Sequence, residues 1–176
     1  MSQTYVTSEH FIGRTNILKI NNRSYSSIEE MNQDFVRRWN SKVKSEDTVY
    51  HLGNFIWDPL IGSEYLQLLN GKIILIPTQN DKASVELSSI AKNHLTLAKD
   101  KIVELPKYGI VMSHYPQEDW NGKDSGTIHL HGGKSEIKTD LTLSRRVNCS
   151  VELWDYYPVE INAILDFVKE FEENRK

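Results

Sequence analysis

The chain has 176 residues, a hydrophobic content of 39%, a charged content of 26% and a net charge of −3. This length suits a single domain spanning residues 1–176, and the weakly acidic balance argues against nucleic-acid binding through a basic surface. No apolar run reaches the ~18 residues of a membrane span, so a cytoplasmic protein without a membrane partner is expected. The one cysteine, Cys149, excludes an internal disulfide.

Apolar periodicity and turn residues predict the elements in chain order. Strands are predicted over residues 3–8, 48–52 and 72–77, and helices from residue 27 onward, over 63–69 and over 82–97. Short strands are predicted near 102–105, 108–113, 127–131 and 146–153, followed by a C-terminal amphipathic helix around 161–171. The helix at residue 27 is the best marked, because Ser27 and Glu30 have the spacing of a capping box.

The order of these elements indicates the fold class. Helices alternate with strands in the first half, and strands dominate the second half, which predicts an α/β fold, a layered sandwich with mixed sheets. In such folds, binding residues gather in loops that follow the carboxyl ends of strands. The segments that meet this description are residues 9–16, 53–55, 78–81, 113–116 and 131–134.

Short motifs in these loops resemble the calcineurin-like metallophosphoesterases, specifically their small bacterial and phage branch. The matching segments are SEHFIGRTNI (8–17), EMN (30–32), WN (39–40), YHLGNF (50–55), LNG (69–71), TQND (78–81), SHYP (113–116), HGGKS (131–135) and YPV (157–159). They keep the family order and cover nearly the whole chain. The resemblance implies a layered α/β/β/α sandwich.

Family enzymes hold two divalent metals that polarise a phosphoryl group and activate a bridging water. Most positions that would bind those metals carry a different residue here. The replacements are Glu9 for aspartate, Phe11 for histidine, Asn54 for the bridging aspartate, Gln79 for asparagine, Asn80 for the catalytic histidine, and Gly133 and Ser135 for two histidines. His114 is retained as a ligand type, and Asp81 is retained at a position that supports its loop in the family.

The exchange at Asn54 is the most consequential. Two divalent cations ~4 Å apart repel by roughly 15–20 kcal/mol at an effective dielectric constant of 20. A bridging carboxylate offsets much of that repulsion, whereas a neutral amide offsets little. The sequence therefore predicts no dinuclear centre, no catalytic residues and no resident cofactor, with at most weakly bound Mg or Mn at Glu9.

A vestigial pocket is expected at these positions. Its predicted members are Glu9, Phe11, Arg14, Asn54, Gln79, Asn80, Asp81, His114, His131, Gly133, Lys134 and Ser135. Arg14 is expected to pair with Glu9, and Lys134 is expected to place a positive charge near the pocket. His114 has two interpretations, a ligand or a structural hydrogen bond to its own loop, and His131 is expected to be structural.

The resemblance implies a phosphoesterase scaffold that has lost its chemistry, encoded by a phage and binding a host protein in the host cytoplasm. Aromatic residues predicted in loops are the candidate anchors, because such residues often dominate interface energy. They are Trp57, Trp120, Trp154 and Tyr156. Two alternatives stay open, a residual metal-dependent phosphoesterase and a non-hydrolytic nucleotide or phosphate binder that uses Arg14 and Lys134.

Overall fold

The computed structural model describes residues 2–133 and 145–174, which form two β-sheets with flanking helices. The strands are β1 (Thr4–Thr7), β2 (Thr48–His51), β3 (Lys72–Leu75), β4 (Leu95–Leu97), β5 (Ile102–Leu105), β6 (Ile110–Ser113), β7 (Ile128–His131), β8 (Arg146–Asn148) and β9 (Val159–Glu160). The α-helices are α1 (Ile17–Ile20), α2 (Ile28–Lys42), α3 (Pro59–Leu66), α4 (Lys82–Ile90) and α5 (Ile161–Glu173).

Both sheets are mixed. The first has the strand order β4-β3-β2-β1-β9, in which β9 is antiparallel to β1 and the other pairs are parallel. The second has the order β5-β6-β7-β8, in which β5 is antiparallel to β6 and the other pairs are parallel. The predicted α/β sandwich with mixed sheets is confirmed.

The core is divided among three clusters of buried side chains. One lies between the first sheet and helices α2, α3 and α4, and it includes Trp39, Phe55 and Leu87. A second contains residues of both sheets and of α5, so it joins the two layers. A third, smaller cluster includes Phe11 and Phe35 and covers the loop after β1.

Helix α2 begins as predicted. The Ser27 hydroxyl accepts a hydrogen bond from the Glu30 amide at 3.0 Å, while the Glu30 carboxylate accepts one from the Ser26 amide at 2.7 Å. The reciprocal half of the capping box is thus made one residue earlier than the usual pattern. Met31, Phe35 and Trp39 on one face of the helix are buried.

Several predicted boundaries are wrong, and three of them change an element substantially. The helix placed at 63–69 spans Pro59–Leu66, because Asp58 caps it through the amides of Leu60 and Ile61 and proline fits its first turn. The helix placed at 82–97 ends at Ile90, since the following chain pairs with β3 as strand β4. The strand placed at 146–153 ends at Asn148 and gives way to a 3₁₀ turn.

Two further features are the environment of the cysteine and the length of the helices. Cys149 is buried in the cluster that joins the sheets, and burial raises the pKa of its thiol well above the ordinary value. Among residues 2–133 and 145–174, no helix is long and apolar enough to cross a membrane.

Candidate functional site

The candidate site lies at the carboxyl ends of five strands, three in the first sheet (β1, β2 and β3) and two in the second (β6 and β7). Thr7, His51 and Leu75 are in register at the ends of β1, β2 and β3. Ser113 and His131 are paired at the ends of β6 and β7 in the other sheet. The five loops that leave these ends carry most of the predicted pocket residues, so parallel strand order brings them together as expected.

Glu9 and Asn54 form the centre of the site. The side-chain amide of Asn54 donates to both carboxylate oxygens of Glu9, at 3.0 and 3.1 Å, and the Gly133 amide donates to one of them at 3.2 Å. Glu9 is buried, and this burial raises the pKa of its carboxyl to about 7, against the lowering effect of these donors.

The side-chain carbonyl oxygen of Asn54 also has hydrogen-bond partners. This oxygen accepts hydrogen bonds from the Thr78 hydroxyl and from the Asn80 side chain, each at 3.1 Å. An amide can donate on one side and accept on the other, whereas an ionised carboxylate can only accept. Asparagine therefore fits this position because its neighbour Glu9 needs a donor.

Asp81 ties two of the loops together. One of its oxygens accepts from the backbone amides of Asn54 and Thr78 at 2.9 and 2.8 Å, and the other accepts from the Phe55 amide at 2.8 Å. The Thr78 hydroxyl adds a further bond at 2.8 Å. These contacts agree with the supporting role that the resemblance implies for Asp81.

His114 lies at the edge of this network. Its Nδ1 is 2.5 Å from the carbonyl oxygen of Leu52 and 3.7 Å from a carboxylate oxygen of Glu9. A carbonyl can only accept, so Nδ1 carries the proton and Nε2 is the acceptor of the neutral ring. Burial lowers the pKa of the imidazole. The predicted structural hydrogen bond exists, but its acceptor belongs to the chain after β2 and not to the loop of His114.

Arg14 does not pair with Glu9, so that prediction is wrong. Its guanidinium carbon lies 4.9 Å from the ring centre of Phe11 and 4.3 Å from that of Trp57, and its Nε donates to the Asn16 side chain at 3.1 Å. Phe11 is itself buried against the third core cluster. The turn after β1 therefore directs Glu9 into the pocket and Arg14 onto an aromatic surface outside it.

The remaining predicted pocket residues are dispersed. Gln79 is exposed. His131 is buried, and its ring stacks on that of His129 with the two ring centres 5.7 Å apart. The Nδ1 atom of His131 lies 2.8 Å from the Gly132 carbonyl oxygen. The geometry of His131 is consistent with the structural role expected for it. Lys134 and Ser135 lie outside the described residues.

Left-handed backbone conformations are concentrated at the site. Glu9, Phe11 and Asn54 have φ angles of 68°, 55° and 56°, although none of them is glycine. Each such conformation costs of order 1–3 kcal/mol and persists only where surrounding contacts impose it. Strain of this kind clusters at functional sites, which supports a continuing function for this one.

Arg23 imposes part of that conformation, and sequence analysis missed it. Its guanidinium donates to the backbone carbonyls of Glu9 and His10, the latter at 2.8 Å, and it forms an ion pair with Glu152 at 2.6 Å. The side chain of Arg23 is fully buried. No local pattern links Arg23 to Glu152, because 129 residues separate them in the chain.

His10 and His51 lie beneath the site. His10 Nδ1 is 2.9 Å from His51 Nε2, and the His10 ring makes edge contacts with Phe35, Trp39 and Phe55. Burial lowers the pKa of both histidines, that of His10 to about 3, so both rings are neutral at pH 7. His10 points into the core and away from Glu9, between two residues with left-handed backbone.

A cleft opens beside the network. It has a volume of about 530 Å³, within the usual range for ligand pockets, and it shares Thr78, Gln79 and His114 with the site. Tyr115, at its mouth, is 58% exposed.

The four predicted aromatic anchors differ in exposure. Trp57 is 43% exposed, but Trp120 is only 8% exposed, because its Nε1 donates to the Thr127 carbonyl and its ring stacks on His129. The expectation of an exposed Trp120 is therefore wrong. Trp154 and Tyr156 are partly buried against core clusters.

The residues present do not fit a dinuclear metal centre. The nitrogen of the Asn54 side chain, and not its oxygen, faces Glu9, and the oxygens of Asp81 are occupied by backbone donors. Phe11 offers no donor atom. In the part of the chain that the structure describes, no group of three or more His, Cys, Asp or Glu side chains could hold a metal ion.

Comparisons with known proteins show the fold but no activity. No protein-family model matches the sequence. The chain is 28% identical to the uncharacterized protein MJ1445 of Methanocaldococcus jannaschii, over 96% of this chain and 93% of that protein. Its fold is similar to the crystal structure of AQ665 from Aquifex aeolicus, a protein of unknown function, with a TM-score of 0.73 and 23% identity over 95% of this chain and 100% of that one. Membership of the metallophosphoesterases remains a prediction.

Proposed function

We propose that this chain is a binding protein on a phosphoesterase-type scaffold, and that it does not hydrolyse phosphate esters through paired metals. The observation that carries this proposal is the contact of the Asn54 amide with both oxygens of Glu9. A cation at Glu9 would have to displace that donor. The amide therefore fills the electrostatic role that a metal would have, at a fraction of its charge.

Metal binding and hydrolysis provide the first test. The protein is dialysed against Mn²⁺, its bound metal is measured, and hydrolysis of bis-p-nitrophenyl phosphate is followed. We expect less than one tightly held Mn²⁺ per chain and no hydrolysis above that of the His114→Ala variant. Two bound ions per chain, with hydrolysis that His114→Ala abolishes, would overturn the proposal.

A protein is the partner class best supported. The alternative of a phosphate ligand depended on Arg14 and Lys134, but the guanidinium of Arg14 lies against Trp57. A phosphate placed beside Glu9 would face a buried carboxyl group, and Arg23, which donates to the Glu9 backbone carbonyl, is already paired with Glu152. The exposed Trp57 is instead typical of a protein-contact residue. The phage origin and the host partner stay predictions.

Quantitative capture tests the partner class. Wild-type protein and the variants Trp57→Ala and Leu68→Ala are used as baits at equal concentration in extract from the source cells. Leu68 is a matched control, because it is also an exposed large apolar residue. We expect Trp57→Ala to lose a protein that wild type and Leu68→Ala both retain. Equal retention by all three baits would count against Trp57 as the anchor.

A further inference from the structure

We propose that the Arg14 face, made of Phe11, Arg14 and Trp57, binds a carboxylate on an acidic segment of a partner protein. This inference rests on the proposed function as a binding protein and names the chemistry of the partner. It assigns recognition to a surface outside the vestigial pocket.

The stacking of Arg14 leaves its hydrogen-bonding edge available. The rings of Phe11 and Trp57 lie 4.9 and 4.3 Å from the guanidinium carbon, and Nε is used by Asn16. Aromatic rings that stack on a guanidinium cover its faces, whereas its N–H bonds point outward in its plane. The Nη1 and Nη2 groups, which have no acceptor within residues 2–133 and 145–174, form the fork that binds a carboxylate in bidentate geometry.

Within residues 2–133 and 145–174, Arg14 differs from the other arginines in its lack of an acidic partner. Of the six arginines in the described ranges, five form ion pairs with carboxylates. These pairs are Arg23–Glu152, Arg37–Asp34, Arg38–Asp34, Arg145–Glu172 and Arg146–Glu118. The positive charge of Arg14 is thus the one among them that an external carboxylate can pair with directly.

The Arg14 face is held rigidly before any partner arrives. Ile12 and Ile56 form a parallel β-bridge, and the Trp57 amide donates to the Ile12 carbonyl at 2.9 Å. A Cβ atom at Gly13 would lie 2.8 Å from the Cβ of Asp58, so only glycine lets this loop approach α3 so closely. A preorganised surface loses less entropy when it binds.

Charge and shape favour a carboxylate over a phosphate. One guanidinium fork matches one singly charged, planar carboxylate. A phosphate dianion would bring twice the charge of a carboxylate onto a chain whose net charge is already −3. Trp57 is 43% exposed, so it offers apolar contact to side chains beside that carboxylate. The occupant is therefore an acidic segment that also carries apolar residues.

A peptide-binding experiment tests this assignment. The probe is a fluorescein-labelled peptide with leucines between glutamates. One comparison peptide has glutamines in place of the glutamates, and a second has phosphoserines there. Anisotropy titrations use wild type, Arg14→Ala, Arg14→Lys and Trp57→Ala. The control is Arg37→Ala, which removes an exposed arginine that is already paired with Asp34. Thermal unfolding of each variant verifies that it is folded.

We expect the acidic peptide to bind wild type at least about tenfold more tightly than the glutamine peptide, and Arg14→Ala and Trp57→Ala to remove that preference. Arg14→Lys should lose most of it, because an ammonium lacks the planar fork. Arg37→Ala should retain it. Equal affinity for both peptides, an undiminished preference in Arg14→Ala, or tighter binding of a phosphoserine peptide would overturn the assignment.

The result of the peptide-binding experiment can be interpreted independently of the result of the metal and hydrolysis experiment. Mn²⁺-dependent hydrolysis together with an Arg14-dependent preference would reject the proposed function and leave the Arg14 face standing. Absence of hydrolysis together with equal peptide affinities would reject the face and leave the proposed function standing.

Discussion

Arg23 and Glu152 form an ion pair at 2.6 Å beneath the loop that carries Glu9, with the Arg23 side chain fully buried. Glu152 also accepts hydrogen bonds from Asn21 at 2.7 Å and from the Ser150 hydroxyl at 2.6 Å. These bonds and the charge of Arg23 lower the pKa of the Glu152 carboxyl in spite of its burial. The pair connects the chain before α2 to the 3₁₀ turn after β8, and it fixes the backbone at the site.

Removal of one member of this pair should be costly. We expect Arg23→Ala to lower the free energy of unfolding by about 3–5 kcal/mol, because it leaves a partly buried carboxylate and two buried backbone carbonyls without their partner. Urea denaturation measures the effect. Arg145→Ala, which breaks the exposed pair with Glu172, should cost less than about 1 kcal/mol. Similar losses in the two variants would contradict the importance given to Arg23.

The Asn54→Asp substitution should replace the hydrogen bonds between Asn54 and Glu9 with electrostatic repulsion between two carboxylates. Two carboxylates would then face each other across the 3.0 Å contact now made with Glu9. We expect the metal-free variant to lose about 1–3 kcal/mol of stability at pH 8 and to regain part of it with Mn²⁺, because a cation between two carboxylates relieves their repulsion. Thermal unfolding with and without Mn²⁺ measures both effects.

Asn162→Asp is the matched control for that substitution. The Asn162 amide donates to the Glu160 carboxylate at 3.1 Å on the exposed surface, where water screens the new charge. Its stability should change by less than about 0.5 kcal/mol, with no response to Mn²⁺. An Asn54→Asp variant that behaves like Asn162→Asp would show that Glu9 does not depend on its amide donor.

The carboxyl of Glu9 should make stability depend on pH. Its pKa is about 7 in the folded protein against an ordinary value of 4.5, so the folded state binds its proton more tightly. The contribution of Glu9 to stability is fully present below pH 4.5 and is lost as the pH rises to about 7. The expected loss is about 3 kcal/mol between these values.

Comparison with Glu9→Gln separates the contribution of Glu9 to the pH dependence of stability from the contributions of other titrating groups. The difference in free energy of unfolding between Glu9→Gln and wild type should increase from pH 5 to pH 8 in favour of the variant, and then level off. Urea denaturation at several pH values provides the measurement. Parallel curves for the two proteins would mean that Glu9 titrates near its ordinary pKa.

Substitution of Trp57 and of Trp120 by alanine should have different effects on stability, because Trp57 lies on the surface and Trp120 in the core. Trp120→Ala is expected to cost about 3–5 kcal/mol, because it leaves a cavity beside His129 and removes the donor to the Thr127 carbonyl. Trp57→Ala is expected to cost less than about 1 kcal/mol, because the ring is partly exposed. Equal costs in urea denaturation would argue against the division into core and contact residues.

The features that the sequence predicted well are those set by neighbouring residues. The capping contact of Ser27 with Glu30 involves residues three apart in the chain. The gathering of Glu9, Asn54 and Asp81 follows from parallel strands that end at one edge. Each of these inferences needs only local hydrogen bonding or the period of a regular element.

The sequence by itself determined an α/β sandwich, the loops that form the site, and the presence of an amide at position 54. Only the tertiary structure decided that the amide of Asn54 binds Glu9, that Arg14 stacks on Trp57, and that Arg23 holds the strained loop through Glu152. The physical reason is that a side chain chooses among partners by distance and burial, and these become defined only when segments far apart in the chain pack together.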